Sequence, residues 1–237
     1  MTVTGTSLEI ATLRSAFLSG AISAAQLAEQ VLARIARSND PAIWISRSSE
    51  GNVRARARQL DGEAAADPTA ITRLPLFGIP FAVKDNIDVA GVPTTAGCPA
   101  FTYTPAETAP VVARLLAAGA VLLGKANLDQ FSTGLVGTRS PYGVPRNPFD
   151  ARFIPGGSSS GSAVAVATGL VSFALGTDTA GSGRVPAAFN NIVGLKPTRG
   201  LIKHSGNSAR LPVARLCLRV CTDSAKRVGG FRGSRSL

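Results

Sequence analysis

Histidine is almost absent from this chain of 237 residues, which holds only His204. A Ser-His-Asp triad would have to use that single imidazole. A zinc site finds too few ligands in one His and the scattered Cys98, Cys217 and Cys221, so no metal is expected. Three cysteines build no disulfide framework and point to a reducing compartment. Charge is sparse too, at 16% of residues against 45% hydrophobic. That balance excludes disorder, collagen and coiled coil, and supplies enough apolar material for a core. Long apolar runs are also missing. The longest uncharged stretch, residues 153–177, soon passes through Pro155-Gly-Gly-Ser-Ser-Ser-Gly-Ser162, whereas a membrane helix needs about 20 predominantly apolar residues. The first basic residue is Arg14, and no compact apolar run follows an early charge, so no secretory leader is expected. These absences predict a cytoplasmic protein with no membrane contact.

Acidic residues number 14 against 25 Lys and Arg, a net charge of +11. Residues 203–237 hold eight of the basic residues and one Asp, so +7 of that excess sits in the last 35 positions. A nucleic-acid binder needs a basic face on a folded domain rather than a basic tail. Nucleic acid is therefore not an expected partner.

The chain then reads as alternating elements. Leu8, Ile10, Leu13, Phe17 and Leu18 recur at helical spacing, and Gly20 stops that helix. Ser23 and Gln26 make a capping box for a second helix carrying Leu27, Val31, Leu32 and Ile35. Residues 53–65 suit a basic, exposed helix, followed by a loop to Arg73. Ile79 to Val83 and Ala120 to Leu123 read as buried strands, with a helix between them capped by Thr108 and closed by Gly119. Residues 160–170 read as a small-residue helix and 171–175 as a further strand. Strands alternating with helices predict an α/β layer fold.

Three segments hold residues suited to chemistry. In Gly78-Ile-Pro-Phe-Ala-Val-Lys-Asp-Asn-Ile-Asp88, Lys84 follows directly on an apolar strand. It either reaches solvent, paired with Asp85 or Asp88, or sits in a dry site where desolvation lowers its pKa and makes it a base. Pro155 to Ser162 is either a flexible linker or a hydroxyl-rich turn opening a helix, with backbone N–H groups and Ser Oγ atoms together. In Gly176-Thr-Asp-Thr-Ala-Gly-Ser-Gly-Arg-Val-Pro186, the small residues 180–183 suit a turn that lets a nucleophile stand out beside an oxyanion hole. The alternative is a tight strand-to-helix turn with an Asp178–Arg184 ion pair.

Lys84, the Gly156-Gly-Ser-Ser159 turn, the Gly176 to Ser182 loop and the following Gly194-Leu-Lys-Pro-Thr198 resemble the amidase signature family, with 74 positions from Lys84 to Ser158 and 24 from there to Ser182. Residues 76–202 match closely. The resemblance implies a mixed central β-sheet covered by helices, incomplete at its C-terminus. It implies Ser182 as nucleophile, Ser158 after a cis peptide bond as the bridge, and Lys84 as the base. Backbone N–H groups of Thr179, Ala180, Gly181 and Ser182 would line the oxyanion hole. A serine hydroxyl needs an adjacent base, and a neutral lysine can serve.

The Ala180-Gly-Ser-Gly-Arg-Val-Pro-Ala-Ala-Phe-Asn-Asn-Ile192 version of the nucleophile segment is similar to the allophanate hydrolase branch. That branch implies a small-molecule amide substrate, hydrolysis of allophanate to ammonia and carbon dioxide, no cofactor, a functional link to urea carboxylase, and a homodimer. The alternatives are an inactive truncated fragment, a generic amidase and a glutamyl-tRNA amidotransferase A-type subunit.

The expected layout is an N-terminal helical segment at 1–70, a partial signature core at 71–202, and a basic tail outside the family pattern at 203–237. Codons exist that encode Asn207 to Leu216 in one register and Gly-Ile-Val-Pro-Ala-Cys-Arg-Ser-Leu-Asp, close to the family's continuation, in the next. The tail is therefore expected to be out-of-frame translation, without fixed structure. A chain so constituted is expected to leave apolar strands half covered and not to form a stable active enzyme.

Overall fold

The computed structural model describes residues 6–198 and the backbone of 215–219. Two helices open it, α1 (Ile10–Leu18) and α2 (Ala24–Arg37). The capping box at α2 is present in full: Ser23 Oγ accepts from the Gln26 N–H while Gln26 Oε1 accepts from the Ser23 N–H. Strand β1 (Trp44–Arg47) and helix α3 (Glu50–Ala66) follow. The segment expected as a loop to Arg73 contains one short helical turn, α4 (Ala70–Arg73).

Strand β2 (Pro80–Lys84), helix α5 (Pro110–Ala117) and strand β3 (Val121–Ala126) form the first parallel unit. Thr108 does not cap α5. Pro110 stands at the first helical turn, where a missing N–H costs nothing, and Thr108 Oγ1 accepts from the Ala90 N–H at 3.0 Å. Gly119 closes the helix at φ +94, a left-handed backbone that glycine tolerates. Helix α6 (Ser160–Ala167), strand β4 (Phe173–Thr177), helix α7 (Arg184–Phe189) and strand β5 (Val193–Leu195) complete the part before residue 198.

The sheet runs β1-β3-β2-β4-β6-β5, where β6 is Arg215–Arg219. Pairs β2–β3 and β2–β4 are parallel, and the other three are antiparallel. The fold is α/β with a mixed sheet, as the resemblance implied. Residues 215–219, expected to lie outside the fold, pair with both β4 and β5. His204 and Cys221 fall outside the described residues.

The division at residue 70 does not separate two bodies. β1 pairs with β3, and one hydrophobic cluster takes in Leu13, Val31 and Leu60 together with Phe81, Val164 and Leu175. Phe81 of β2 stacks on Phe173 of β4 with ring centroids 5.3 Å apart. The chain steps from β2 to β3 on one side and later to β4 on the other. In open α/β sheets that reversal leaves a crevice at the carboxyl ends of the strands, where the candidate site lies. Among the described residues, no helix is long and apolar enough to cross a membrane.

Candidate active site

Lys84 ends β2, between β3 and β4, and is fully buried. Its Nζ lies 2.7 Å from Ser158 Oγ and 2.6 Å from Thr177 Oγ1. Neither Asp85 nor Asp88 pairs with it. Asp85 instead faces Lys125 at the end of β3, with Nζ 3.0 Å from Oδ1 and both side chains buried. Thr94 and Tyr103 donate hydroxyls to Asp88 Oδ1 at 2.9 and 2.8 Å. Burial lowers the Lys84 ammonium to about 7, against the opposing pull of Asp129 and Asp178. A lysine so placed is half neutral near pH 7 and can take a proton.

Ser158 follows a cis peptide bond from Gly157. The turn is tied on both sides. Gly157 N–H donates to the Leu135 carbonyl at 2.8 Å, and Asp129 N–H donates to the Ser158 carbonyl at 3.1 Å. Two steps on, α6 is built wholly of small or β-branched residues and is buried up to Val166. A Cβ on Gly161 would overlap the Ile43 carbonyl oxygen and lie 2.5 Å from the Asn127 amide nitrogen. That closeness presses the Ser158 turn onto the sheet.

Ser182 follows β4, where Gly181 holds φ +128. The Ser182 carbonyl accepts from the Ser159 N–H at 3.0 Å, which seats it against the Ser158 turn. Ser159 Oγ adds a second tie, donating to the Thr177 carbonyl and accepting from the Thr177 N–H, both at 3.3 Å.

Asp178 organises the loop from within. It pairs with Arg184 at 2.8 Å, as the alternative reading of that loop held, and accepts from the N–H groups of Gly181, Gly183 and Arg184. Burial resists its charge, but these donors outweigh burial and hold the carboxyl at about 2. One expectation changes here. The Gly181 N–H donates to Asp178 Oδ1 at 2.8 Å, so it is engaged in holding the loop rather than pointing at an oxyanion. Thr179 and Ala180, two of the other three expected there, are exposed at the surface of the same turn, and Ser182 is buried.

Sequence reasoning missed three partners. Thr177 touches Lys84 directly. Asn86 donates to Thr177 Oγ1 at 3.3 Å and to Ser132 Oγ at 3.1 Å. Asp129 accepts from the N–H groups of Gly137 and Arg139 at 2.9 and 2.8 Å and anchors the loop beside the Ser158 turn. The signal that could have found them is their place at or just past strand ends, where chemistry gathers in such sheets. Among the described residues, no cluster of His, Cys, Asp and Glu could hold a metal.

Comparison with known proteins places the chain in a family. A family model described as Amidase matches residues 26–224. The urea amidolyase of Lachancea kluyveri is 58% identical over 167 residues, which is 70% of this chain and 9% of that protein. The A-type subunit of the glutamyl-tRNA(Gln) amidotransferase from Symbiobacterium thermophilum is 48% identical over 202 residues, 84% of this chain and 41% of that relative. Among solved structures, the allophanate hydrolase of Kluyveromyces lactis superposes with a TM-score of 0.72 at 44% identity, over 83% of this chain and 32% of that one. The chain thus spans under a tenth of the amidolyase and about two fifths of the amidotransferase relative.

Proposed function

The chain belongs to the Amidase family, and we propose that it carries an amidohydrolase site in which Ser182, Ser158 and Lys84 relay a proton. The observation that carries this reading is the buried Lys84 amine, 2.7 Å from Ser158 Oγ and lowered to about 7. Ser182 Oγ attacks the amide carbonyl carbon. Its proton passes to Ser158 Oγ, which gives its own to Lys84 Nζ. The oxyanion takes N–H donors from the turn at Thr179, Ala180 and Ser182. As the C–N bond breaks, Lys84 returns the proton through Ser158 to the leaving nitrogen. Water then attacks the acyl-serine by the same path and frees the acid.

Allophanate is the proposed substrate, broken down to ammonia and carbon dioxide without metal or cofactor. The kinship with urea amidolyase and allophanate hydrolase supports it, as does the Ala180-Gly-Ser-Gly183 variant of the loop. A functional link to urea carboxylation and a homodimeric assembly belong to the same proposal. The kinship with the amidotransferase supports a second reading, which requires glutaminase activity and partner chains.

A fluorophosphonate probe tests the site. It should label the protein at Ser182, and Ser182→Ala should abolish labelling. Turnover of allophanate, glutamine and simple amides then separates the substrates. Preference for glutamine or simple amides, or loss of activity to chelators, would sink the allophanate reading.

A further inference from the structure

The hydrogen bonds around Lys84 extend beyond those the relay uses. Thr177 Oγ1 is as close to Lys84 Nζ as Ser158 Oγ is, and it also receives Asn86 Nδ2. Asn86 is fully buried, and its amide spans from Thr177 to Ser132. A neutral amine has two N–H donors and one lone pair, whereas a hydroxyl has one hydrogen and two acceptor lone pairs. For Lys84 to take a proton from Ser158, its lone pair must face Ser158. A Thr177 hydrogen turned toward Lys84 would occupy that lone pair instead.

We propose that Asn86 and Thr177 are positioning residues that hold a Lys84 N–H on Thr177 Oγ1 and so aim the amine lone pair at Ser158. Asn86 donates into one lone pair of Thr177 Oγ1, and Lys84 donates into the other. Turning the amide over enforces this outright, because Thr177 then gives its hydrogen to Asn86 Oδ1 and offers Lys84 only lone pairs. The charges acting on Lys84 are Asp129, after β3, and Asp178, after β4. Both carboxylates are held by backbone donors of their own loops. They favour the ammonium as a whole, whereas Thr177 distinguishes one side of the amine from another. The proposal deepens the relay reading above and rests on it.

The test is the rate of Ser182 labelling by a fluorophosphonate as a function of pH, with thermal unfolding measured alongside. Thr177→Val should lower the plateau rate by about tenfold, the worth of one buried hydrogen bond. Its midpoint should move to lower pH, because an acceptor that favoured the ammonium is gone. Thr177→Ser keeps the oxygen and should stay within about threefold of wild type. Asn86→Ala frees the Thr177 hydroxyl to turn and should lower the plateau with Thr177 intact. Wild-type rate and midpoint in Thr177→Val would overturn the proposal. So would a loss that follows the melting temperature alone, with an unmoved midpoint and no rescue by serine. If wild-type Ser182 is labelled but Lys84→Ala labels equally fast, the base reading itself has failed, and this proposal falls with it.

Discussion

Lys84 concentrates most of the physics of this molecule in one side chain. An unfolded lysine keeps its proton to about 10.4, whereas the buried one keeps it only to about 7. Between those values the unfolded state binds more protons, so stability climbs with pH across that window. Below about 7 both states are protonated, and the full cost of burying the ammonium remains. Lys84→Met removes that cost. Its stability relative to wild type should therefore be greatest near pH 6 and shrink by on the order of 3 kcal/mol by pH 10. Denaturant unfolding at the two pH values measures this, and a difference that does not change with pH would place Lys84 at an ordinary lysine pKa. The same titration governs turnover in the proposed relay. Amide hydrolysis should rise through a midpoint of about 7 as Lys84 loses its proton. Lys84→Arg should fall by on the order of 10³-fold, since arginine cannot shed its proton.

At the scale of elements, helix α6 decides whether the two loops meet. Its small residues let it lie against Ile43 and Asn127 closely enough that a methyl group has no room at Gly161. Gly161→Ala forces backbone apart rather than a flexible side chain, and overpacking of that kind typically costs about 1–3 kcal/mol. Gly161→Ala should lower the melting temperature and should also slow Ser182 labelling, because the Ser158 turn opens this helix. Normal labelling in a destabilised variant would show that α6 supports the sheet without placing the site. The helix reads from sequence as a small-residue run entering an apolar strand. Its closest neighbour does not, since Ile43 lies more than a hundred positions earlier.

Among the described residues, large apolar side chains are left uncovered. Phe149 and Phe153 are 64% and 63% exposed, and Leu135, Phe189 and Leu195 are also open. Scattered apolar residues are normal, but several large ones on a limited segment favour association. Replacing Phe149 and Phe153 together by serine should at least halve light scattering on heating, with the melting temperature within about 2 °C of wild type, as expected of exposed sites. Unchanged scattering would show that these rings do not drive association. The expectation that apolar strands stay half covered needs revision at one edge, because β6 pairs along the whole of β4.

Sequence alone sufficed for the alternation of helices and strands, the capping box at Ser23, and the three segments that hold Lys84, Ser158 and Ser182. Each depends on neighbours within a few residues: hydrophobic period, cap chemistry, and glycines that admit tight turns. The family resemblance rests on the spacing of those segments. Partner choice came from the three-dimensional arrangement: Lys84 faces Thr177 and Ser158 rather than Asp85, Asp85 pairs with Lys125, and Gly181 gives its N–H to Asp178. The place of β1 in the sheet came from there too. Lys84 meets Ser158 across 74 positions and Thr177 across 93. Burial and partner choice arise from which strands lie side by side, and no local pattern encodes that. The proton affinity of Lys84 follows from the same source, because neighbouring strands, not neighbouring residues, exclude water from its amine.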